Sequence, residues 1–221
     1  MQDINTLTVS GMIQSVEKSH DFHGEQFYRV MLEIVRLSEN MDVVPVIVSE
    51  KLLYNNEITP GMFITVHGQI RTKNHKDENG KSRLLVFGYA GDVEQVDGSV
   101  VEALEIKNEV EMEGYVCKVP THRVTNTGRI ITDLLIACNR QYSKSDYVPC
   151  IVWGINAKMA KNLRVGDKIR LFGRFQSREY RRKADEAGQI NVAYEVSISR
   201  LEVINDKVET AAPALEELKG A

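Results

Sequence analysis

The chain has 221 residues, of which 43% are apolar and 27% charged, enough for one large domain or two of about a hundred residues each. It contains no run of about 18 apolar residues and no charged start followed by an apolar block, so we expect no membrane span, no signal peptide and a cytoplasmic location. The net charge of −3 conceals a segregation: residues 1–113 hold 10 basic and 19 acidic side chains, residues 114–183 hold 15 and 4, and residues 184–221 hold 3 and 8. A phosphate-binding surface is therefore expected mainly in the second half.

Two copies of one pattern follow each other, beginning at Asn5 and Asn108. Each copy reads as two strands, a third strand containing a proline, a short helix, a fourth strand after a glycine turn, and a fifth strand. Landmark residues have the same spacing in both copies: 21 residues separate Gly24 from Pro45 and Gly128 from Pro149, and 7 separate Gly61 from Gly68 and Gly166 from Gly173.

This order of elements is typical of the OB barrel. We therefore predict an all-β fold of two tandem OB-fold (five-stranded Greek-key) barrels, each with one short helix. The expected domains are an N-terminal barrel (1–97), a linker (98–107) and a C-terminal barrel (108–205), followed by a disordered acidic tail (206–221). The linker sequence fits either a short helix or an added strand.

Several residues of the repeat have specific expected roles. Pro45 and Pro149 fit strand positions that donate no ladder hydrogen bond, such as an edge. Gly68 and Gly173 are expected to let the fourth strand of each barrel bend. Asn156 fits the N-cap of the second helix, whose apolar side would consist of Met159, Ala160 and Leu163.

The residues offer little support for catalysis or metal binding. The three cysteines, Cys117, Cys138 and Cys150, lack CxxC spacing and lie in apolar strand patterns, so we expect buried thiols in a reducing compartment. The histidines are scattered, and there is no P-loop or GxGxxG motif. We expect neither an enzyme, nor a metal site, nor a cofactor.

The fourth strand of the second copy alternates between two faces. One face is apolar and holds Ile169, Leu171, Gly173 and Phe175. The opposite face combines cations with aromatic rings: Lys168, Arg170, Phe172, Arg174, Arg178 and Tyr180. Cations attract phosphates and rings stack on exposed bases, so this face suits single-stranded nucleic acid. The same pattern also fits packing aromatics on a solvated strand, and the alternation alone leaves both readings open.

The second copy resembles the bacterial single-stranded DNA-binding protein family in four stretches: LLIACNRQY (Leu134–Tyr142), DYVPCIVWG (Asp146–Gly154), AKNLRVGDKIRLFGRFQSREY (Ala160–Tyr180) and YEVSISRLEVI (Tyr194–Ile204). Their order and spacing make the resemblance specific. It implies that Tyr142, Tyr147, Trp153 and Tyr180 stack on bases and that Lys168, Arg170, Arg174 and Arg178 follow the backbone. By the same resemblance, the groove would be extended by Arg140, Lys144, Arg181 and Arg182.

The first copy departs from this pattern. Ser38, Val43 and Ser49 replace Tyr142, Tyr147 and Trp153, and uncharged or weakly basic residues replace most of the fourth-strand cations. We therefore expect a degenerate binding face on the first barrel and a structural or partner-facing role for it.

The resemblance implies sequence-independent binding and protection of single-stranded DNA, with RNA as an open alternative, in replication, recombination or repair at the nucleoid. One-barrel family members typically form tetramers, so a two-barrel chain is expected to form a homodimer with four OB folds; a monomer whose barrels cover each other is the alternative. Replication or recombination proteins are candidate partners. The alternative function is a primosome or replication-assembly protein that docks a helicase, primase or recombinase.

Overall fold

The two halves of the chain repeat the same order of strands in the computed structural model, which describes residues 2–53, 57–76, 80, 82–125, 127–142, 144–180 and 190–204. The first half contains β1 (Asn5–Phe22), β2 (Glu25–Val35), β3 (Met41–Ser49), a 3-10 helix (Glu50–Leu53), β4 (Phe63–Lys76) and β5 (Ser82–Val96). Helix α1 (Gly98–Ala103) follows. The second half contains β6 (Asn108–Val116), β7 (Thr121–Val124), β8 (Ile130–Asn139), β9 (Ser145–Trp153), α2 (Gly154–Ala160), β10 (Lys168–Tyr180) and β11 (Asn191–Ile204).

Each half closes into a barrel through the same pairings. In the first half β1 pairs with β2 and β4, β2 with β3, and β4 with β5, all antiparallel, while the parallel pair β3–β5 completes the circle. The second half repeats this with β6, β8, β9, β11 and β10, and the parallel pair is β9–β11. The predicted all-β fold of two OB barrels is therefore confirmed. The extra strand β7 arises because the first strand of the second barrel is interrupted, and β7 pairs with β8 alone.

The two barrels share one sheet. Strand β1 pairs antiparallel with β6 from Asn5 opposite Met112 to Val9 opposite Asn108, which makes a continuous 11-stranded order among the described residues. Both first residues of the repeat also fasten their own barrel. The Asn5 side chain exchanges hydrogen bonds of 2.8 and 2.9 Å with the Ile70 backbone, and the Asn108 side chain exchanges bonds of 2.6 and 2.9 Å with the Phe175 backbone.

Gly68 and Gly173 each lie at a shift in register between the fourth and fifth strands of their barrel, where the fifth strand holds one extra residue. The register of β4 against β5 shifts between His67 and Gly68, and that of β10 against β11 shifts between Phe172 and Gly173. A Cβ atom at Gly68 would overlap the Tyr89 carbonyl oxygen, and one at Gly173 would overlap the Ser197 carbonyl oxygen. Only glycine lets the two backbones approach this closely.

The repeated prolines do not lie in edge strands. Strand β3 runs between β2 and β5, and β9 runs between β8 and β11. The parallel partner, however, pairs only from Val46 in β3 and from Cys150 in β9, one residue after Pro45 and Pro149. Each proline is therefore paired on one side only, which is compatible with its missing N–H.

The prediction for the second helix was wrong at its start. Helix α2 begins at Gly154 and its N-cap is Trp153, which makes no side-chain capping bond. Asn156 is thus inside the helix, and its Nδ2 donates to the Ser199 carbonyl oxygen at 2.8 Å. Of the three residues predicted for its apolar side, Ala160 and Leu163 are buried, together with Ala157, whereas Met159 is 59% exposed.

The segment between the barrels contains a helix. Helix α1 is capped by Asp97, whose carboxylate accepts a 2.8 Å bond from the Ser99 N–H, and Val101 is buried beneath it. The sequence alone is compatible with either a helix or a strand in this segment, and the structure decides for the helix.

The thiols follow the sequence expectation in part. Cys138 and Cys150 are buried and free, while Cys117 is half-buried. Burial raises the pKa of Cys138 to about 12 and raises that of Cys150 further, so neither is a ready nucleophile. Among the described residues, no helix is long and apolar enough to span a bilayer.

Candidate nucleic-acid interface

The outer face of the second barrel carries the rings of β9. Val148, Cys150 and Val152 point into the core, so Tyr147 and Trp153 lie on the opposite face, where Tyr147 is 47% exposed and Trp153 partly exposed. Strand β11 separates β9 from β10, and its Ser197 pairs with both Ile151 and Arg174. Arg174 and Arg178 therefore lie on the same outer face as the two rings.

Trp153, Arg174 and Arg178 line one groove between the barrels, with a volume of about 990 Å³. The first barrel also lines this groove, with Arg36 and Asn40 of the β2–β3 turn, Met41 and Val43 of β3, and Gln14 of β1. The first barrel thus reaches the predicted binding face even though its own counterparts of the aromatic residues are missing.

The two arginines of this groove differ in their partners. Arg178 forms two bonds of 2.8 and 2.9 Å with the Glu195 carboxylate, which raises its pKa. Arg174 Nη2 donates to Gln176 at 3.1 Å, but its buried Nε makes no hydrogen bond among the described residues and lies 4.0 Å from the Asp42 carboxylate. Burial, with the nearby Arg36 guanidinium, lowers the pKa of Arg174. An anion in the groove would relieve that unfavourable environment.

The β8–β9 turn is fixed against β4 of the first barrel by a buried aspartate. The Asp146 carboxylate contacts Arg71 at 3.1 Å and Arg140 at 3.0 Å, and it accepts a 2.7 Å bond from the Thr72 N–H. The Tyr147 N–H in turn donates to Thr72 Oγ1 at 2.9 Å. Arg140 and Tyr147, which flank the exposed turn residues Tyr142 and Lys144, consequently lie beside the first barrel.

Tyr142 is the most open of the predicted rings. It is 89% exposed and has φ +60°, a conformation uncommon for a residue with a side chain. Its ring therefore has both faces accessible to a base.

A second buried aspartate, in the first barrel, contacts the fourth strand of the second barrel. Asp42, which is fully buried in β3, forms a short bidentate pair with Arg36 and accepts a 3.1 Å bond from the Ser177 N–H of the second barrel. The Val43 N–H donates to Ser177 Oγ at 3.0 Å. Each barrel thus has one buried carboxylate that accepts a hydrogen bond from the fourth strand of the other barrel. These two contacts fix the relative orientation of the barrels.

Three predicted residues at the start of β10 are already engaged with neighbouring side chains. Lys168 Nζ lies 3.5 Å from Asp3 and 3.9 Å from Glu113, and Arg170 forms a short ion pair with Glu111. The Phe172 ring has the Arg170 guanidinium at 5.5 Å and that of Arg200 at 4.0 Å.

The ion pairs of Lys168 and Arg170 were not predicted from the sequence, because they depend on which strand lies beside β10. That strand is β6, whose carboxylates alternate in the run EVEME, from Glu109 to Glu113. This alternation of carboxylates in the sequence could have indicated an acidic strand face beside the cations of β10.

One further predicted residue, Tyr180, lies at the far end of β10. Tyr180 pairs with Asn191 in the ladder, and its ring centroid is 6.0 Å from the Arg178 guanidinium. Arg181 and Arg182 lie outside the described residues, as does the predicted tail (206–221).

The first barrel has rings on its outer face at positions that the repeat comparison did not consider. Val43 and Ser49 stand where the second barrel has Tyr147 and Trp153, as predicted. The β5 residues Phe87 and Tyr89, however, alternate with core residues and point outward, and Tyr89 is 38% exposed. The period of two in LLVFGYA was the signal that could have found them.

The described residues thus form a double OB barrel whose second barrel carries rings and arginines on one outer face. Residues 107–204 match the Single-strand binding protein family. The second barrel of this chain therefore belongs to the single-strand binding protein family.

Two solved structures of the single-stranded DNA binding protein from Thermus aquaticus share the two-barrel fold. The wild type superimposes with a TM-score of 0.72 at 19% identity, and a deletion mutant of the same protein with 0.69 at 18%; each match covers 96% of this chain and 98% of the other. The dimeric N-terminal domain of PriB from Thermoanaerobacter tencongensis is 32% identical over 42% of this chain and 97% of its own, with a TM-score of only 0.38. No curated protein sequence matches the chain. Within the described residues, no three metal-ligating side chains cluster.

Proposed function

We propose that this protein binds and protects single-stranded DNA without regard to base order, during replication, recombination or repair. The observation that carries the proposal is the joint position of Tyr147 and Trp153 beside Arg174 and Arg178 on the outer face of the second barrel. The family of residues 107–204 supports it.

The chemistry of this face is stacking combined with phosphate attraction. Each base stacked on a ring contributes about 1–3 kcal/mol, and stacking tolerates any base because every base has a flat face. Tyr142 and Lys144, both exposed on the β8–β9 turn, extend the surface toward the first barrel. Lys168 and Arg170 must exchange a carboxylate for a phosphate to take part, so we expect them to contribute less than Arg174.

A titration of Trp153 fluorescence with poly(dT) tests the proposal, because Trp153 is the only tryptophan of the chain. We expect quenching as bases stack on Trp153. We also expect log affinity to fall with log salt by about 0.7 per phosphate contact. Affinity that does not change with salt, or tighter binding to duplex DNA than to poly(dT), would refute the proposal.

A further inference from the structure

The first barrel also has a surface suited to nucleic acid, built from other strands than in the second barrel. We propose that Phe87, Tyr89 and Lys73 bind a continuation of the same single strand, with Phe27 packed behind Tyr89 and Arg71 beside Phe87 in the β4–β5 ladder. We call these five residues the first-barrel face. This inference rests on the proposed function and adds a second set of base and phosphate contacts to it.

The rings of this face form a connected row. Tyr89 is 38% exposed, its ring centroid is 6.3 Å from that of Phe27, and Phe27 stacks on His20 at 4.8 Å. Phe87 is two residues from Tyr89 on β5 and lies on the same side, partly exposed. Phe27 is buried and thus supports Tyr89, which offers the accessible ring for a base.

A comparison of equivalent positions shows that the two barrels carry their outward-facing rings on different strands. Gln69 of β4 pairs with Tyr89, and its counterpart Arg174 pairs with Ser197. In the second barrel the fifth strand is polar at this position and the rings lie on the third strand; in the first barrel the rings lie on the fifth. In both barrels the rings therefore lie on the outer face of the sheet formed by the second, third, fifth and fourth strands.

Two cations accompany the rings. Arg71 pairs with Phe87 and Lys73 pairs with Leu85 in the β4–β5 ladder, so both point to the outer face. Lys73 is exposed and has no ion pair among the described residues. The β2 carboxylate of Glu25 is paired with Lys51 and Ser49, which lower its pKa. The charge of Glu25 is therefore balanced by that of Lys51.

The first-barrel face is continuous with the second-barrel site. The Tyr147 N–H bonds to Thr72, which lies between Arg71 and Lys73 in the chain, and Arg71 shares the Asp146 carboxylate with Arg140. A strand that leaves Tyr147 meets Arg71 next and Phe87 and Tyr89 beyond it. Neither a duplex nor a folded protein is needed to explain a narrow path of rings and cations; an extended single strand matches it.

The test compares two labelled oligo(dT) ligands by fluorescence anisotropy. One has about 8 nucleotides and fits one OB fold, and the other has about 32 and reaches both. We expect Tyr89→Ala to weaken binding of the long ligand by about 5- to 100-fold and to leave the short ligand unchanged. Tyr89→Phe keeps the ring and should behave as the wild type.

A charge variant gives a second, independent readout. Lys73→Gln should lower the salt slope for the long ligand by about 0.7 and leave that for the short ligand unchanged. Because Lys73 is exposed, this variant keeps the fold and decides the question even if Tyr89→Ala unfolds.

The outcomes separate this inference from the proposed function. If the wild type binds neither ligand, the proposed function fails. If the wild type binds both, Trp153→Ala weakens both, and the Tyr89→Ala and Lys73→Gln variants bind the long ligand as the wild type does, the first-barrel face alone is refuted.

Discussion

At the residue scale, the rings and the cations of the second barrel differ in how free they are to meet a ligand. Tyr142 and Tyr147 expose much of their surface, at 89% and 47%. Arg170 and Arg178, in contrast, are ion-paired with Glu111 and Glu195. A phosphate that binds such an arginine must displace its carboxylate partner. One ion pair is formed and another is lost, so the net contribution to the binding free energy is small. The rings should therefore supply more of the binding free energy than the charge count suggests.

Removing one ring tests this ranking. We expect Trp153→Ala and Tyr147→Ala each to weaken binding of a short oligo(dT) by about 1–3 kcal/mol, because each removes a stacking platform. The measurement is anisotropy of a labelled oligonucleotide, since Trp153→Ala removes the intrinsic fluorophore. The matched control is Ser49→Ala, at the first-barrel counterpart of Trp153 and outside the residues that line the groove, which should leave affinity unchanged. A loss at Ser49→Ala equal to that at Trp153→Ala would contradict the assignment.

The sequence predicted which residues of the second barrel would face outward but not what they would contact. Alternation along β9 and β10 is a local property, so Trp153 and Arg174 could be placed on the face from sequence. The partners of Lys168 and Arg170 are non-local: Glu111 and Glu113 lie more than fifty positions earlier in the chain and come alongside only when β6 pairs with β10. For the same reason, the contacts of Asp42 and Asp146 across the barrels could not be foreseen.

At the element scale, the glycines of the fourth strands are the points where sequence and fold constrain each other most tightly. At Gly173 the register of β10 against β11 shifts, and Ser199 of β11 is left without a ladder partner in β10. Lys168 to Phe172, before this shift, lie beside β6, whereas Arg174 and Arg178, after it, line the groove. Arg178 keeps its ion pair with Glu195 there.

We expect Gly173→Ala to lower the free energy of unfolding by roughly 1–3 kcal/mol or more, because a methyl group would overlap the Ser197 carbonyl. Gly91→Ala is the matched control, since a Cβ atom there would be 3.5 Å from the nearest backbone oxygen, an ordinary contact. Urea unfolding followed by circular dichroism measures both. Equal stability of Gly173→Ala and the wild type would mean that the backbones separate without cost.

Strand order was predictable because the two copies keep the same spacing between glycine and proline landmarks. The start of helix α2 was predicted too late because asparagine is a favoured N-cap residue and Asn156 was assigned that position. In the structure Gly154, with φ +61°, allows the chain to turn into the helix directly after β9. A capping preference of about 1 kcal/mol is easily overridden by such a tertiary constraint.

At the scale of the whole molecule, we propose a homodimer with four OB folds. Two exposed apolar residues support it: Leu37 of the β2–β3 turn is 91% exposed, and Ile106, which follows α1, is 64% exposed. Leu37 and Ile106 line one shallow groove, and closed two-fold pairing of two copies is the commonest way to cover such a surface.

Light scattering at micromolar concentration should give a mass near twice that of the 25.0 kDa chain. Leu37→Glu should shift the mass toward one chain, because it replaces one of the two exposed apolar residues with a charge. A wild-type mass near 25.0 kDa with undiminished DNA binding would rule out the dimer. A dimer that persists in Leu37→Glu would place the interface elsewhere on the surface.

The β1–β6 ladder has a consequence for how this protein responds to dilution. When two barrels belong to separate chains, their pairing obeys mass action and is lost as the chains become scarce. Here the partner strands are about a hundred positions apart in one polypeptide, so each meets the other at an effective concentration set by the connecting chain. The paired barrels should therefore stay assembled at any cellular copy number, whatever becomes of the contact between chains.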